Sequence, residues 1–109
     1  MKKIAYLSSA LIFVTSTIYA ATPDESWSKL CASCHGKDGK AHTKAAKKMD
    51  VKDLTDASYA KTFTDEDAFK SLKMGLKDKD GKERMKPFSE KLSNDEIKGL
   101  VAYVRGLSK

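Results

Sequence analysis

Cys31-Ala32-Ser33-Cys34-His35 sets two thiols three positions apart, with an imidazole directly after the second. That spacing suits covalent attachment of a haem, with the histidine as an iron ligand. On one turn of helix both thiols face the same side. Each can add to a vinyl group of the porphyrin and leave a thioether. His35 then lies under the macrocycle and can put an imidazole nitrogen on the iron. A chain of this length gains from such a group, because its own side chains make only a small core.

Other chemistries use similar residues. A thioredoxin-like Cys-x-x-Cys redox pair belongs beside a βαβ pattern, and no strand pattern is present here. A structural zinc site wants a second pair of ligands at similar spacing, and only His42 remains as an obvious further ligand. A disulfide between residues this close would shut a very small loop and add little stability. Haem attachment is the reading that uses all three side chains.

The chain resembles a small class I cytochrome c of the monohaem bacterial kind. Three pieces carry the resemblance: Cys31 to Lys40, with Gly36 and Gly39 after the histidine; Met85-Lys86-Pro87-Phe88, similar to that family's methionine-ligand loop; and the closing run from Leu92 to Arg105. Together they span nearly all of the chain after its first twenty or so residues. The resemblance implies an all-α fold, with three to five helices wrapped around one covalent haem c. It also implies Cys31 and Cys34 as the thioether anchors, with His35 and Met85 as axial ligands.

The full chain has 109 residues, which limits it to one domain. Both cysteines sit inside the haem motif, leaving none for a disulfide framework. The formal charge of +6 is distributed, with lysines mixed among acids, as on a charged soluble surface and unlike a nucleic-acid-binding block. Aromatic content is too low for a base-stacking surface.

Residues Met1 to Ala20 read as a targeting segment. Lys2 and Lys3 give a positive start, an apolar run from Ile4 to Val14 follows, and Ile18-Tyr19-Ala20 offers a cleavage site. Cleavage after Ala20 is expected, with Ala21 the alternative; residues 21–109 would form the mature cytochrome c domain. The rival is an uncleaved anchor, but the apolar core is short for a span, and Ser8, Ser9, Thr15, Ser16 and Thr17 interrupt it. Without Lys2 and Lys3 the 21 basic residues become 19, against 15 acidic ones, or about +4. Export agrees with the resemblance, because c-type haem is attached outside the bacterial cytoplasm. The periplasm is the expected location.

The first mature helix should start near Asp24, after Pro23, with Asp24, Glu25 and Ser26 as good N-terminal residues. Trp27, Leu30, Cys31 and Cys34 then share one face, Trp27 as core packing. Gly36 and Gly39 should end the helix and turn the backbone. Residues 37–53 read as a loop with a short helix around Ala45 to Met49. Related chains usually carry a proline here whose carbonyl accepts from the ligand histidine. This chain has none between His35 and Pro87, so another backbone carbonyl in the stretch is expected to orient His35. The resemblance makes Ser58 to Thr62 a short helix, with Leu54 against the haem. Tyr59 is a propionate donor or a half-buried packing residue. Thr64 with Asp67, and Ser93 with Glu96, are capping boxes. Ala68, Phe69 and Leu72 mark one helical face ending at Gly75. Lys77 to Arg84 reads as a charged loop. Ile97, Leu100, Val101 and Val104 mark the last helix, which in the family crosses the first. Leu100 or Tyr103 should meet the Trp27 side of that crossing, and Gly99 suggests a close contact there.

For the second iron ligand the mature chain offers Met85, Met74, Met49 and His42. Met85 has the best context: it follows a charged loop, Pro87 stiffens its own loop, and Phe88 can cover a haem face. Fifty residues separate it from His35, enough chain to pass around the ring. Met74 and Met49 fall in helical patterns that suggest packing, and His42 is only seven residues from His35. An open sixth position is the remaining alternative. A thioether opposite the imidazole favours ferrous iron and leaves no vacant site. The expected function is a periplasmic one-electron carrier, not an enzyme, serving redox partner proteins. A haem c subunit of a larger redox complex, or an open-site sensor or peroxidase-like protein, is the alternative. Lys37, Lys40 and Lys86 are candidates to face an acidic partner.

Overall fold

A computed structural model describes residues 2–14 and 20–109. Residues 2–14 carry no helix or strand, and Leu7, Leu11, Phe13 and Val14 are exposed. The Ile18-Tyr19 part of the expected cleavage site lies outside the described residues. Among them, no helix is long and apolar enough to cross a membrane.

The first helix, α1, runs over residues 23–35. Pro23 occupies its first turn, where its fixed φ fits and its missing N–H is not needed. Asp24 and Glu25 lie against the positive end of the helix dipole. The helix is α over Pro23–Ser26, π over Trp27–Cys31, and α again over Ala32–His35. Gly36, at φ +83°, ends it with an N–H donated to the Ala32 carbonyl at 2.8 Å.

Helix α2 is Lys44–Met49, and the Thr43 hydroxyl caps it by accepting from the Ala46 N–H at 3.0 Å. The short α3, Ala57–Ala60, is capped by the Asp56 carboxylate. Both capping boxes form as expected: Thr64 with Asp67 starts α4, Asp65–Met74, and Ser93 with Glu96 starts α5, Asn94–Leu107. The fold is mostly helical.

The expectation of a purely helical domain needs one correction. Strands β1, Leu76–Lys77, and β2, Glu83–Met85, pair antiparallel with Leu76 opposite Met85. They lie where the sequence reads as a charged loop. The hairpin is held less by strand propensity than by its turn. The Asp78 carboxylate accepts from the Asp80 and Lys82 N–H groups, both at 2.9 Å, and the Asp78 N–H donates to the Lys82 carbonyl.

The core gathers Trp27, Cys31, Phe88, Leu92, Ile97 and Leu100, with Leu30, Leu54, Phe69, Leu72, Met85, Tyr103, Val104 and Leu107 packed around them. Ile97 and Leu100 are essentially solvent-free, and such burial is worth about 1.5–3 kcal/mol for each. α5 crosses the start of α1. A Cβ on Gly99 would lie 3.1 Å from Pro23 Cγ, so glycine leaves room for the Pro23 ring at the crossing. Tyr103 meets Trp27 with ring centroids 5.2 Å apart, as the expected crossing requires. Arg105 ties α5 to the segment before α4: it donates to the Ala60 and Phe63 carbonyls, pairs with Asp65, and lies over the Phe63 ring at 4.5 Å.

Candidate haem site

Cys31 ends the π turn of α1, and its side chain is buried in the core cluster. Cys34 lies one turn on and is half-buried; neither thiol is in a disulfide. Burial, and to a lesser degree the neighbouring Cys34, pushes the Cys31 thiol up to about 11. It is therefore a neutral, apolar-facing thiol in the folded chain.

His35 closes α1. Burial holds its pKa below the usual imidazole range, so at neutral pH the ring is uncharged and its lone pair is free for a metal. Its Nδ1 is buried without a hydrogen-bond partner among the described residues. The expected carbonyl from residues 37–53 therefore does not reach the imidazole. That stretch instead pins the backbone on both sides of the ring. The Ala41 N–H donates to the His35 carbonyl at 2.9 Å, and the Thr43 hydroxyl donates to the Cys34 carbonyl at 2.6 Å. The Trp27 indole N–H donates to the Gly36 carbonyl at 3.0 Å. The indole itself packs on the imidazole, centroids 5.6 Å apart at 36°. The sequence reading gave Trp27 only a packing role; its indole N–H is the signal that could have suggested more.

Met85 ends β2 and is half-buried against the same cluster that holds Cys31. Its segment is anchored on both sides. A Cβ on Gly75 would stand 2.7 Å from the Met85 carbonyl oxygen, so the chain there lies directly against the end of α4. Beyond Pro87, the Phe88 N–H donates to the Leu72 carbonyl at 2.9 Å and the Phe88 ring is buried. Met74, read as packing, is instead 66% exposed at the last residue of α4. At about 100° per residue it lies about 140° round the helix from Phe69 and about 200° from Leu72, on the side away from the packed face. Met49 is half-buried at the end of α2, and His42 is exposed in the preceding loop.

Leu54 joins the apolar cluster, with its N–H donating to the Gly39 carbonyl at 2.9 Å. Tyr59 is half-buried against Phe63, centroids 5.5 Å apart. Among the described residues no three His, Cys, Asp or Glu side chains converge as they would around a bare metal ion. The donors that do meet the apolar core are thiol, imidazole and thioether. These soft ligands, set against an unpolar surface, fit an iron porphyrin better than a hydrated cation.

Comparison with known proteins agrees. The family model described as cytochrome C oxidase, cbb3-type, subunit III matches residues 19–104. A solved structure named KustC0563 c-type cytochrome is 29% identical, with a TM-score of 0.70, over 82% of this chain and all of that one. The structure of a point variant of that cytochrome is also 29% identical, with a TM-score of 0.67, over 80% of this chain and 99% of its own. No curated protein sequence matches.

Proposed function

Because the chain belongs to the family described as cytochrome c oxidase, cbb3-type, subunit III, and so to the monohaem c-type cytochromes with covalent haem c, we propose that it is a periplasmic one-electron carrier with His35 and Met85 as the axial ligands. Cys31 and Cys34 would hold the haem as thioethers. The observation that carries this reading is the meeting of Cys31 and Met85 in one apolar cluster, at the end of the helix that also presents a neutral, half-buried His35. When bound, the haem supplies reversible ferric–ferrous chemistry. The protein's part is to fix both ligands and exclude water. α1 and its pinned turn hold His35, while Gly75 and Phe88 hold the Met85 segment. Two protein ligands on the iron leave no position for substrate, which suits transfer of electrons and not bond-breaking. Lys2, Lys3 and the apolar run from Ile4 to Val14 support export.

A second reading, a haem c subunit of a larger redox complex, is favoured by the family's own description. It uses the same site and differs only in whether the partner is permanent.

Carbon monoxide binding by the reduced, purified, exported protein tests the site. With Met85 on the iron, the unmutated protein binds the gas poorly. Met85→Ala binds it rapidly and has a lower potential, while Met74→Ala and Met49→Ala change neither. Rapid binding by the unmutated protein would favour an open-site sensor or peroxidase-like role. Binding released by Met74→Ala or His42→Ala instead would move the ligand. The haem should survive acid-acetone extraction unless Cys31 and Cys34 are both replaced by alanine.

A further inference from the structure

His35 carries an unusual burden. Its Nδ1 is buried and unpartnered among the described residues, so no hydrogen bond fixes the plane of the imidazole. A histidine that ligates metal usually donates this second N–H to an acceptor, which both orients the ring and makes it a stronger donor. Something other than a hydrogen bond must hold this ring.

Three observations converge on Trp27. Its indole is 3% exposed and lies 5.6 Å from the imidazole at 36°. Its Nε1–H donates to the carbonyl of Gly36, the residue directly after the histidine, at 3.0 Å. And it opens the five-residue π turn that ends at Cys31, closed by the Ala32 N–H donating to the Trp27 carbonyl. In an uninterrupted α-helix, positions eight apart fall about 80° off a common face. A π turn closes i→i+5 bonds and winds less per residue, so it takes part of that rotation back. The turn thereby brings the indole and the imidazole towards one side of the helix.

We infer that Trp27 is a positioning residue for His35: its indole, aligned by the π turn, sets the imidazole plane and keeps Nδ1 dry in place of a hydrogen bond. The inference rests on His35 being an iron ligand. A dry Nδ1–H makes His35 a weaker donor than a hydrogen-bonded one. Removing the indole admits water to Nδ1, strengthens the donor and stabilises ferric iron.

The test uses the haem-loaded protein and two readouts: the haem-methyl shift pattern of the ferric form by NMR, and the midpoint potential. Trp27→Leu should redistribute the methyl shifts and lower the potential. Trp27→Phe, which keeps a ring but loses the bond to Gly36, should do the same to a smaller extent. Leu100→Ala removes as many side-chain atoms from the same core as Trp27→Phe does, but from α5 and not from the helix that carries His35, and should lower stability while moving neither readout. If Trp27→Leu does not fold, Trp27→Phe against Leu100→Ala decides the matter. Trp27 variants that move the two readouts no further than Leu100→Ala overturn the inference. His35→Gly with added imidazole separates this from the ligand assignment. Recovery of the unmutated spectrum, together with silent Trp27 variants, overturns the positioning role alone; no recovery overturns both.

Discussion

Gly75 offers a sharp test of how the Met85 segment is held. Its backbone lies at φ +77°, ψ 177°, a region open almost solely to glycine, which costs any other residue about 1–3 kcal/mol. A Cβ placed there would also stand 2.7 Å from the Met85 carbonyl oxygen, 2.9 Å from Pro87 N and 3.1 Å from Pro87 Cδ. These are backbone and ring atoms, with no flexible side-chain end that could swing away. The hairpin pairing of Leu76 with Met85 and the Phe88–Leu72 hydrogen bond brace them from either side. Overpacking of that kind adds about 1–3 kcal/mol. Gly75→Ala should therefore cost about 2–6 kcal/mol in all, and part of it should appear as displacement of Met85. Gly81 is the internal control: it has the same φ of +77°, in the exposed hairpin turn, with nothing within 4 Å of a built Cβ. Gly81→Ala pays backbone strain alone. Denaturant unfolding of the two variants gives the stability difference, and carbon monoxide binding by the reduced forms reports whether Met85 has moved. Equal stability losses would refute the steric account. A large loss for Gly75→Ala with carbon monoxide still excluded would refute the link between Gly75 and the ligand.

Two further outcomes are expected. The carboxylates of Asp67 and Glu96 are held below the usual range chiefly by the N–H groups of Thr64 and Ser93, which they accept from at the helix starts. Because folding lowers their pKa, their contribution is full above the unfolded value near 4 and disappears as pH falls through the folded value. Asp67→Asn with Glu96→Gln should thus flatten the acid side of the stability–pH curve in thermal unfolding, and an unchanged slope would contradict the capping role. Residues 70–86 hold seven basic and three acidic side chains, and residues 37–52 six and two. Arg84, donating to the Met49 and Asp50 carbonyls, joins the two segments. Electron transfer with an acidic redox protein should slow as salt rises, and more weakly so after Lys37, Lys40 and Lys86 are neutralised; rates indifferent to salt would count against a basic docking face.

What could be read from the chain, and what could not, divides by the range of the interaction. Both capping boxes, the glycine stop at Gly36 and the apolar face of Ile97, Leu100 and Val101 are local patterns, and each forms where the residues indicate. The thiol–thiol–imidazole spacing is local too. The hairpin escaped because five strand residues carry no alternation, and its turn depends on one carboxylate. The π turn escaped because side-chain periodicity does not report whether a backbone bond closes at i+4 or i+5. The role of Gly75 escaped for a third reason: it looks like a helix stop, and is one, but its tightest contacts are to residues ten or more positions away. Met74 was misread because belonging to a helical stretch is not belonging to its packed face: two residues beyond Leu72, it lies on the opposite side of α4.

The two proposed ligands are restrained in different ways, and the difference follows from how each is presented. His35 sits on a helix whose end is clamped by hydrogen bonds to the His35, Cys34 and Gly36 carbonyls, leaving the ring itself to be held by Trp27. Met85 sits in a hairpin too short to be stiff alone, and it borrows stiffness from α4 through Gly75 on one side and Leu72 on the other. Both arrangements lead into the core of Ile97, Leu100 and Phe88, so α5 is the common support although it contributes no ligand. Loss of packing in α5 should therefore lower the stability of the whole domain, whereas changes at Gly75 or Trp27 should act on one ligand each. In a one-electron carrier, as proposed, restraint of the backbone beside each ligand would limit the change in geometry between the two oxidation states.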